Sequence, residues 1–270
     1  MDYHAYYQQT VYPKIDFRIV NKYPHVSLVE QKKTTPLSQL QMVMLVALTG
    51  TGKTTTLDAL KQLNENDIEQ GMSIIPSRRE VADWIAIPTA QILFDEPIKP
   101  VTDRVQRFHY TGTFAKHVKG GMATAFSWVN INKEYDGLII SEGIRGSTEI
   151  THALTHFQNW YIIELALHPI TRLKRLSSRK GGFDKVSEAG DVSFLPQDLQ
   201  TEAQALLTAG DITEQALAIT KAESENYGLY PFAAGEQFDN YYRVDVDDKT
   251  PEQVAQDVNR IMKGLMNADD

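Results

Sequence analysis

The sequence predicts a three-layer α/β fold: a parallel sheet of about five strands with helices on both faces. Three observations carry that prediction. Met42 to Leu48 is apolar without a break and then meets turn chemistry, as a strand buried on both faces does. Further short apolar runs recur at 72–75, 138–141 and 160–167, separated by stretches long enough for crossover helices. Between the first run and its helix lies Thr49-Gly50-Thr51-Gly52-Lys53-Thr54, whose two glycines let the backbone turn sharply and aim N–H groups at an anion.

Residues 1–40 read as an N-terminal extension packed on the outside of the fold, with Tyr3, Tyr6, Tyr7, Tyr12 and Tyr23 spread along it. Plain packing is one reading of those aromatics; a lid or the arm of a homodimer is the other. Residues 41–270 form the domain proper, with an insertion at about 98–135 and a lid and helical insertion at about 170–235.

The phosphate-binding pattern G-x-x-x-x-G-K-[ST] is met at Gly52, Lys53 and Thr54, with Ala47 at its first position. Gly50, Thr51, Gly52, Lys53, Thr54 and Thr55 are the candidate cradle. The helix that starts there offers free N–H groups and the positive end of its dipole. In that role Lys53 reaches the β- and γ-phosphates of a nucleotide, and the Thr54 hydroxyl ligates Mg²⁺. The plainer reading is a Gly/Thr turn between a core strand and a surface helix, but strand, loop and helix occur in the order the chemistry requires.

The second strand, Met72 to Ile75, leads into Pro76-Ser77-Arg78-Arg79. This places Arg78 and Arg79 at the strand-end rim where open α/β sheets bind ligands, although such a pair is also common in a solvated turn. Asp83 follows and is a candidate base. Arg104 and Arg107, one helical turn apart in the next segment, are candidates to face an anionic acceptor, or equally the charged outside of an amphipathic helix. His109 and His117 lack partners at metal-ligand spacing.

Leu138 to Ser141 is the third strand, with Glu142 at its tip and Gly143-Ile144-Arg145-Gly146 after it. A carboxylate there holds Mg²⁺ or orients the attacking group, so Glu142 is a candidate both as metal ligand and as base. Trp160 to Leu167 is the fourth strand. A basic helix over 170–180 follows, with Arg172, Arg175 and Arg179 stacked on one face and Leu173 and Leu176 on the buried side. Residues 183–195 read as a mobile loop, and 197–209 as a helix stopped by Gly210. A further helix opens on a capping box at Asp211 and Glu214 and stops near Gly228. The last strand is 241–246, and Thr250-Pro251-Glu252-Gln253 starts a final helix whose Val254, Val258, Ile261, Met262 and Leu265 share a face.

Composition narrows the function. With 42% hydrophobic and 23% charged residues, a globular domain can bury a large core, and no run approaches the ~18 apolar residues of a membrane span. The first ten residues have neither the basic start nor the apolar run of a signal peptide, so a cytoplasmic location is expected. The absence of cysteine excludes disulfides, thiolate catalysis and cysteine zinc sites. A net charge of -8 disfavours long nucleic acid as a partner.

The order of these elements resembles the P-loop kinases of nucleotides and small molecules, over roughly residues 42–180 and 240–266. Lys53, Thr54, the Glu142-Gly143-Ile144-Arg145 strand end and the Arg-rich helix carry the resemblance. In nucleoside monophosphate kinases an arginine-bearing lid helix follows the fourth strand, and Arg172, Arg175 and Arg179 are similar to it. Glu142 to Arg145 lacks the proline of that family's third-strand motif and is one residue shorter. The resemblance implies a P-loop NTPase fold, ATP and Mg²⁺ as cofactors, and a small, anionic or nucleotide-like acceptor. Arg172 would bind the donor and Arg175 and Arg179 would clamp the moving phosphoryl group, while Arg78, Arg79, Arg104, Arg107 and Arg145 would serve the acceptor. Two rivals stay open: an NTPase switch, and a kinase acting on a nucleic-acid end or a protein.

Overall fold

Burial and strand pairing divide the chain between two sheets, and the smaller one starts near the N-terminus. The computed structural model describes residues 1–15, 25–65, 72–74, 77–132, 138–179, 190–230 and 232–266. Helix α1 (Tyr3–Tyr6), capped by Asp2, widens into a π turn at Tyr7–Val11. These residues are core and not an outer layer. Tyr7 and Val11 are fully buried, and the Tyr7 hydroxyl donates to the Trp84 carbonyl at 3.1 Å. Two short strands follow, β1 (Val26–Ser27) and β2 (Thr34–Pro36).

Strand β3 (Met42–Val46) is buried at every position, as a strand covered on both faces must be. After the glycine loop come α2 (Lys53–Glu65), β4 (Met72–Ile74) and α3 (Arg78–Val81), which Ser77 and Glu80 start with a reciprocal capping box. A π turn at Ala82–Ala86 joins α3 to α4 (Ile87–Leu93). There the Ile87 amide reaches back to Ala82, and this shifted bonding accommodates Pro88 inside one continuous helical run. Helices α5 (Arg104–His117) and α6 (Met122–Ser127) lead to β5 (Asn130–Asn132). Strand β5 pairs antiparallel with both β1 and β2, so the N-terminal residues and the segment expected as an insertion at 98–135 share one three-stranded sheet.

The second half supplies β6 (Leu138–Ser141), α7 (Gly146–His156), β7 (Trp160–Ala166), α8 (Pro169–Ser177), α9 (Gln197–Ala209), α10 (Glu214–Tyr227), β8 (Tyr241–Asp245) and α11 (Pro251–Met266). The main sheet is parallel throughout, in the order β4-β6-β3-β7-β8. Its two faces follow the pleat of β3. Met42, Met44 and Val46 pack with Trp84, Phe126 and Ile150 on one side. Val43, Leu45 and Ala47 pack with α2 and α11 on the other, through Leu57, Leu60, Val254 and Val258. Helices α8, α9 and α10 share a core of their own, with Leu173, Leu176, Leu199 and Leu217. This is a three-layer α/β fold, a parallel sheet covered on both faces by helices.

Several local boundaries differ from expectation. Helix α8 ends at Ser177, so Arg179 lies beyond it and the three arginines do not share one helical face. Helix α10 begins at Glu214, capped by Thr213, whose hydroxyl accepts from the Ala216 amide at 3.2 Å; Asp211 is not its cap. At α11 the expected reciprocal pair forms: Thr250 N–H donates to Gln253, and Gln253 N–H to the Thr250 hydroxyl. The turn at 135–137 and most of the loop expected at 183–195 lie outside the described residues, while Gly190 and Leu195 are buried. Among the described residues no helix is long and apolar enough to cross a membrane.

Candidate active site

The parallel sheet brings the ends of β3 and β6 to one edge, so the glycine loop and Glu142 meet there. Gly50 and Gly52 have φ of +90° and +100°, a region that side chains rarely enter. Gly50 also has no room for one: a Cβ there would lie 2.9 Å from Cγ of Leu176, because α8 packs directly on the loop. The Gly52 carbonyl is turned into α2, where it accepts from the hydroxyls of Thr55 at 2.7 Å and Thr56 at 3.0 Å. Thr51 is buried and Thr54 exposed at the start of the helix.

Lys53 Nζ lies 3.3 Å from Glu142 Oε2. Burial pushes the lysine pKa down to about 8, nearby Arg145 and Arg78 push the same way, and Glu142 opposes them. The loop therefore faces three cations, Lys53, Arg78 and Arg145, each with a carboxylate within 4.0 Å: Glu142, Glu149 and Glu223. Glu142 itself stays partly exposed.

The arginines expected in a lid are tied to the loop. Arg172 is 1% exposed; its Nε donates to the Thr49 carbonyl at 2.8 Å, and its Nη2 pairs with Glu223 of α10. Glu223 also accepts from the Thr49 amide at 3.1 Å and from the Thr49 hydroxyl. Arg175 donates to the carbonyls of Thr51 at 3.3 Å and Val246 at 3.1 Å, and its Nη1 is 4.0 Å from where a Gly52 Cβ would stand. Arg179 is exposed beyond the helix.

The arginines expected at the acceptor side separate into groups. Arg78 forms a forked pair with Glu149 of α7, at 2.5 and 2.9 Å, and donates to the Gly143 carbonyl at 2.9 Å. Glu149 is a hub, since its carboxylate also accepts from the amides of Arg145 at 2.8 Å and Met122 at 3.3 Å. Arg107 pairs with Asp83 and donates to the Val101 carbonyl at 2.9 Å, so both groups are engaged with each other and not with the loop. Arg79 is exposed, and the side chain of Arg104 lies outside the described residues. Arg145 stands 3.9 Å from Glu223, and its Nε is buried with no hydrogen bond among the described residues.

Beside Arg145, at the C-terminal ends of β3 and β7, the structure encloses a cavity of about 340 Å³. Glu164 of β7 reaches it from the sheet. Its Oε2 accepts from the Tyr241 hydroxyl at 2.5 Å and the Phe232 amide at 2.9 Å, and burial raises the Glu164 pKa. Sequence reasoning missed Glu149, Glu164 and Glu223. Only Glu149 had a local signal, its place four residues after Arg145 at the opening of a helix. The other two meet partners 77 and 174 residues away.

The residues fit a nucleotide and Mg²⁺ at this edge. The positive-φ glycines leave the loop without side chains where an anion would sit, and the half-buried Lys53 stands at its mouth with burial, Arg145 and Arg78 all opposing its charge. Among the described residues there is no closed group of three or more His, Asp or Glu side chains for a metal. An ion held here by Thr54 and Glu142 would therefore complete its shell with waters and phosphate oxygens, as Mg²⁺ commonly does.

No protein-family model matches the chain, and no curated protein matches it. Solved structures do. A sugar kinase from a Janibacter species is 17% identical, over 81% of this chain and 92% of that one, with a TM-score of 0.34. The tunicamycin resistance protein of Deinococcus radiodurans is 14% identical over 83% and 96%, with a TM-score of 0.38. Shikimate kinase from Bacteroides thetaiotaomicron is 14% identical over 82% and 98%, with a TM-score of 0.36. The fold is fixed by this chain's own features, a parallel sheet with β3 at its centre and the glycine loop leading from β3 into α2.

Proposed function

We propose that the chain is a Mg-ATP-dependent kinase of a small acceptor. The observation that carries this reading is Lys53: it is half-buried at the mouth of a positive-φ glycine loop, beside Arg145 and Arg78, with Glu142 as its ion-pair partner. Such a cluster favours a polyanion, and phosphoryl transfer asks a protein for positioning and charge neutralisation above all. When bound, Mg-ATP supplies the phosphoryl group and the metal's charge.

The chain's own residues supply the rest. Gly50, Thr51, Gly52 and Lys53 shape the cradle, and Thr54 and Glu142 offer oxygen ligands. Arg175, anchored beside Gly52, adds positive charge next to the phosphates. Glu142 is the better candidate for the acceptor's proton, because it stands at Lys53 beside the glycine loop, whereas Asp83 is paired with Arg107 away from it. Arg172 acts through Thr49, as a brace on the loop.

The test is nucleotide binding by calorimetry, together with a mass-spectrometric screen for metabolites that gain one phosphate. Wild-type protein should bind ATP with Mg²⁺ and phosphorylate an acceptor, and folded Lys53→Ala should lose turnover and most affinity. Full activity in Lys53→Ala would sink the assignment. Steady ATP hydrolysis without any acceptor would favour the switch instead.

A further inference from the structure

The cavity of about 340 Å³ beside the loop has two chemically different ends. Val46, Leu48, Ile150 and Phe232 are its apolar lining; its charged groups are Arg145, Glu164 and Glu225, and Ser147, Tyr227 and Tyr230 add hydroxyls. Val46, on the sheet face opposite α2, and Ala47, on the α2 face, both line it, so the cavity sits at the end of β3. Two residues separate Val46 from Thr49, the residue that Arg172 and Glu223 hold.

The two polar ends are built and incompletely used. Arg145 has a buried Nε with no hydrogen bond among the described residues, and its nearest carboxylate is 3.9 Å away. It precedes Gly146 and Ser147, which also line the cavity, and its own side chain makes no capping bond to the first turn of α7, where Glu149 accepts from the Arg145 amide. This end suits an anion. Glu164 is held in place by Tyr241 and the Phe232 amide, and both of those bonds fall on Oε2. Among the described residues its other oxygen accepts no hydrogen bond, which leaves it to a ligand hydroxyl. A buried carboxyl so placed rejects ligands that cannot hydrogen-bond to it, because it would lose water without replacement.

We propose that this cavity is the acceptor site and takes a sugar-sized molecule bearing both hydroxyls and one anionic group, the anion at Arg145 and a hydroxyl at Glu164. The identification as acceptor rests on the kinase reading above. The size follows from the volume, near the lower end of the ~300–1,000 Å³ usual for small-molecule sites. The requirement for both groups follows from the two ends.

The experiment measures binding to the full chain by ligand-observed NMR and calorimetry, with gluconate (anion and hydroxyls), glucitol (hydroxyls alone) and hexanoate (anion alone) as probes. ADP affinity is measured in parallel. Gluconate should bind wild type at least about tenfold more tightly than either partial probe, each lacking one contact worth a factor of that order. Glu164→Gln should weaken gluconate to the level of hexanoate and leave ADP affinity unchanged. Ser147→Trp, at an exposed residue on the cavity rim, should block gluconate without lowering Tm, and so guards against a Glu164 variant that fails to fold. Equal binding of the three probes, no binding of any, or wild-type gluconate affinity in Ser147→Trp would overturn the proposal. Loss of gluconate binding in Glu164→Gln with ADP retained supports it. Failure of ADP to bind wild type would overturn the phosphotransfer reading, and with it the acceptor role.

Discussion

Arg172 of α8 and Glu223 of α10 form an ion pair against the backbone of Thr49, with Arg172 donating to the Thr49 carbonyl and Glu223 accepting from its amide. Two helices are thereby joined through the first residue of the glycine loop. Removing one member of a buried pair leaves the other charged and unsolvated, at a cost of about 3–5 kcal/mol. Glu223→Ala should therefore lower Tm markedly and weaken nucleotide binding as well, because Thr49 loses its anchor. A double-mutant cycle with Arg172→Met should show coupling well above 1 kcal/mol; additive effects would show that the pair does not act as a unit.

Gly50→Ala should be among the most damaging small changes in the chain. It puts a Cβ where φ is +90° and 2.9 Å from Leu176. Either the loop or α8 must move, so nucleotide affinity should fall at least about tenfold, with part of it recovered by Leu176→Ala. Rescue by the second substitution is the informative result, since strain in φ alone would not be relieved by it.

Nucleotide affinity should depend on pH through Lys53. Its pKa in the free protein is about 8, and phosphate oxygens favour the charged form, so binding raises that pKa and takes up a proton. Affinity should be full below pH 8 and fall by up to about tenfold per unit as the pH rises above it, until the bound-state pKa is reached. Calorimetry in buffers of different ionisation enthalpy reads the proton directly. Glu142→Gln removes the group that raises the Lys53 pKa, so the fall should begin at lower pH.

Much of this architecture was legible where local pattern sets it. The buried run of β3, the glycine loop, Glu142 at the tip of β6 and the capped start of α11 each follow from a few consecutive residues. The pairings were not. Nothing near Thr49 announces Glu223, and nothing near Arg78 distinguishes an arginine that will meet Glu149 from one left at the rim. The helix over 78–93 was hidden by Pro88, because the π turn that accommodates it has no strong sequence mark. The burial of Tyr7 has no mark in the sequence, because aromatic residues serve an arm and a core equally well.

Arg175 tests whether the basic helix does more than support the loop. Its guanidinium is anchored by the carbonyls of Thr51 and Val246. Arg175→Ala should lower kcat more than it raises the KM for ATP, while Lys174→Ala, at an exposed position, should change neither. Equal losses in the two variants would point to general basicity.

The three-stranded sheet in which β5 lies between β1 and β2 sets a timetable for synthesis. Val26 and Thr35 both pair with Ile131, so neither N-terminal strand can settle until roughly a hundred more residues have been translated. At ~5–20 residues per second that is a wait of roughly 5–20 s, during which strand edges and tyrosines stand open on the nascent chain. Slowing the ribosome before β5 has emerged should therefore increase chaperone capture and aggregation of this protein, whereas a pause after Ile131 has cleared the ribosome should be harmless to the N-terminal strands.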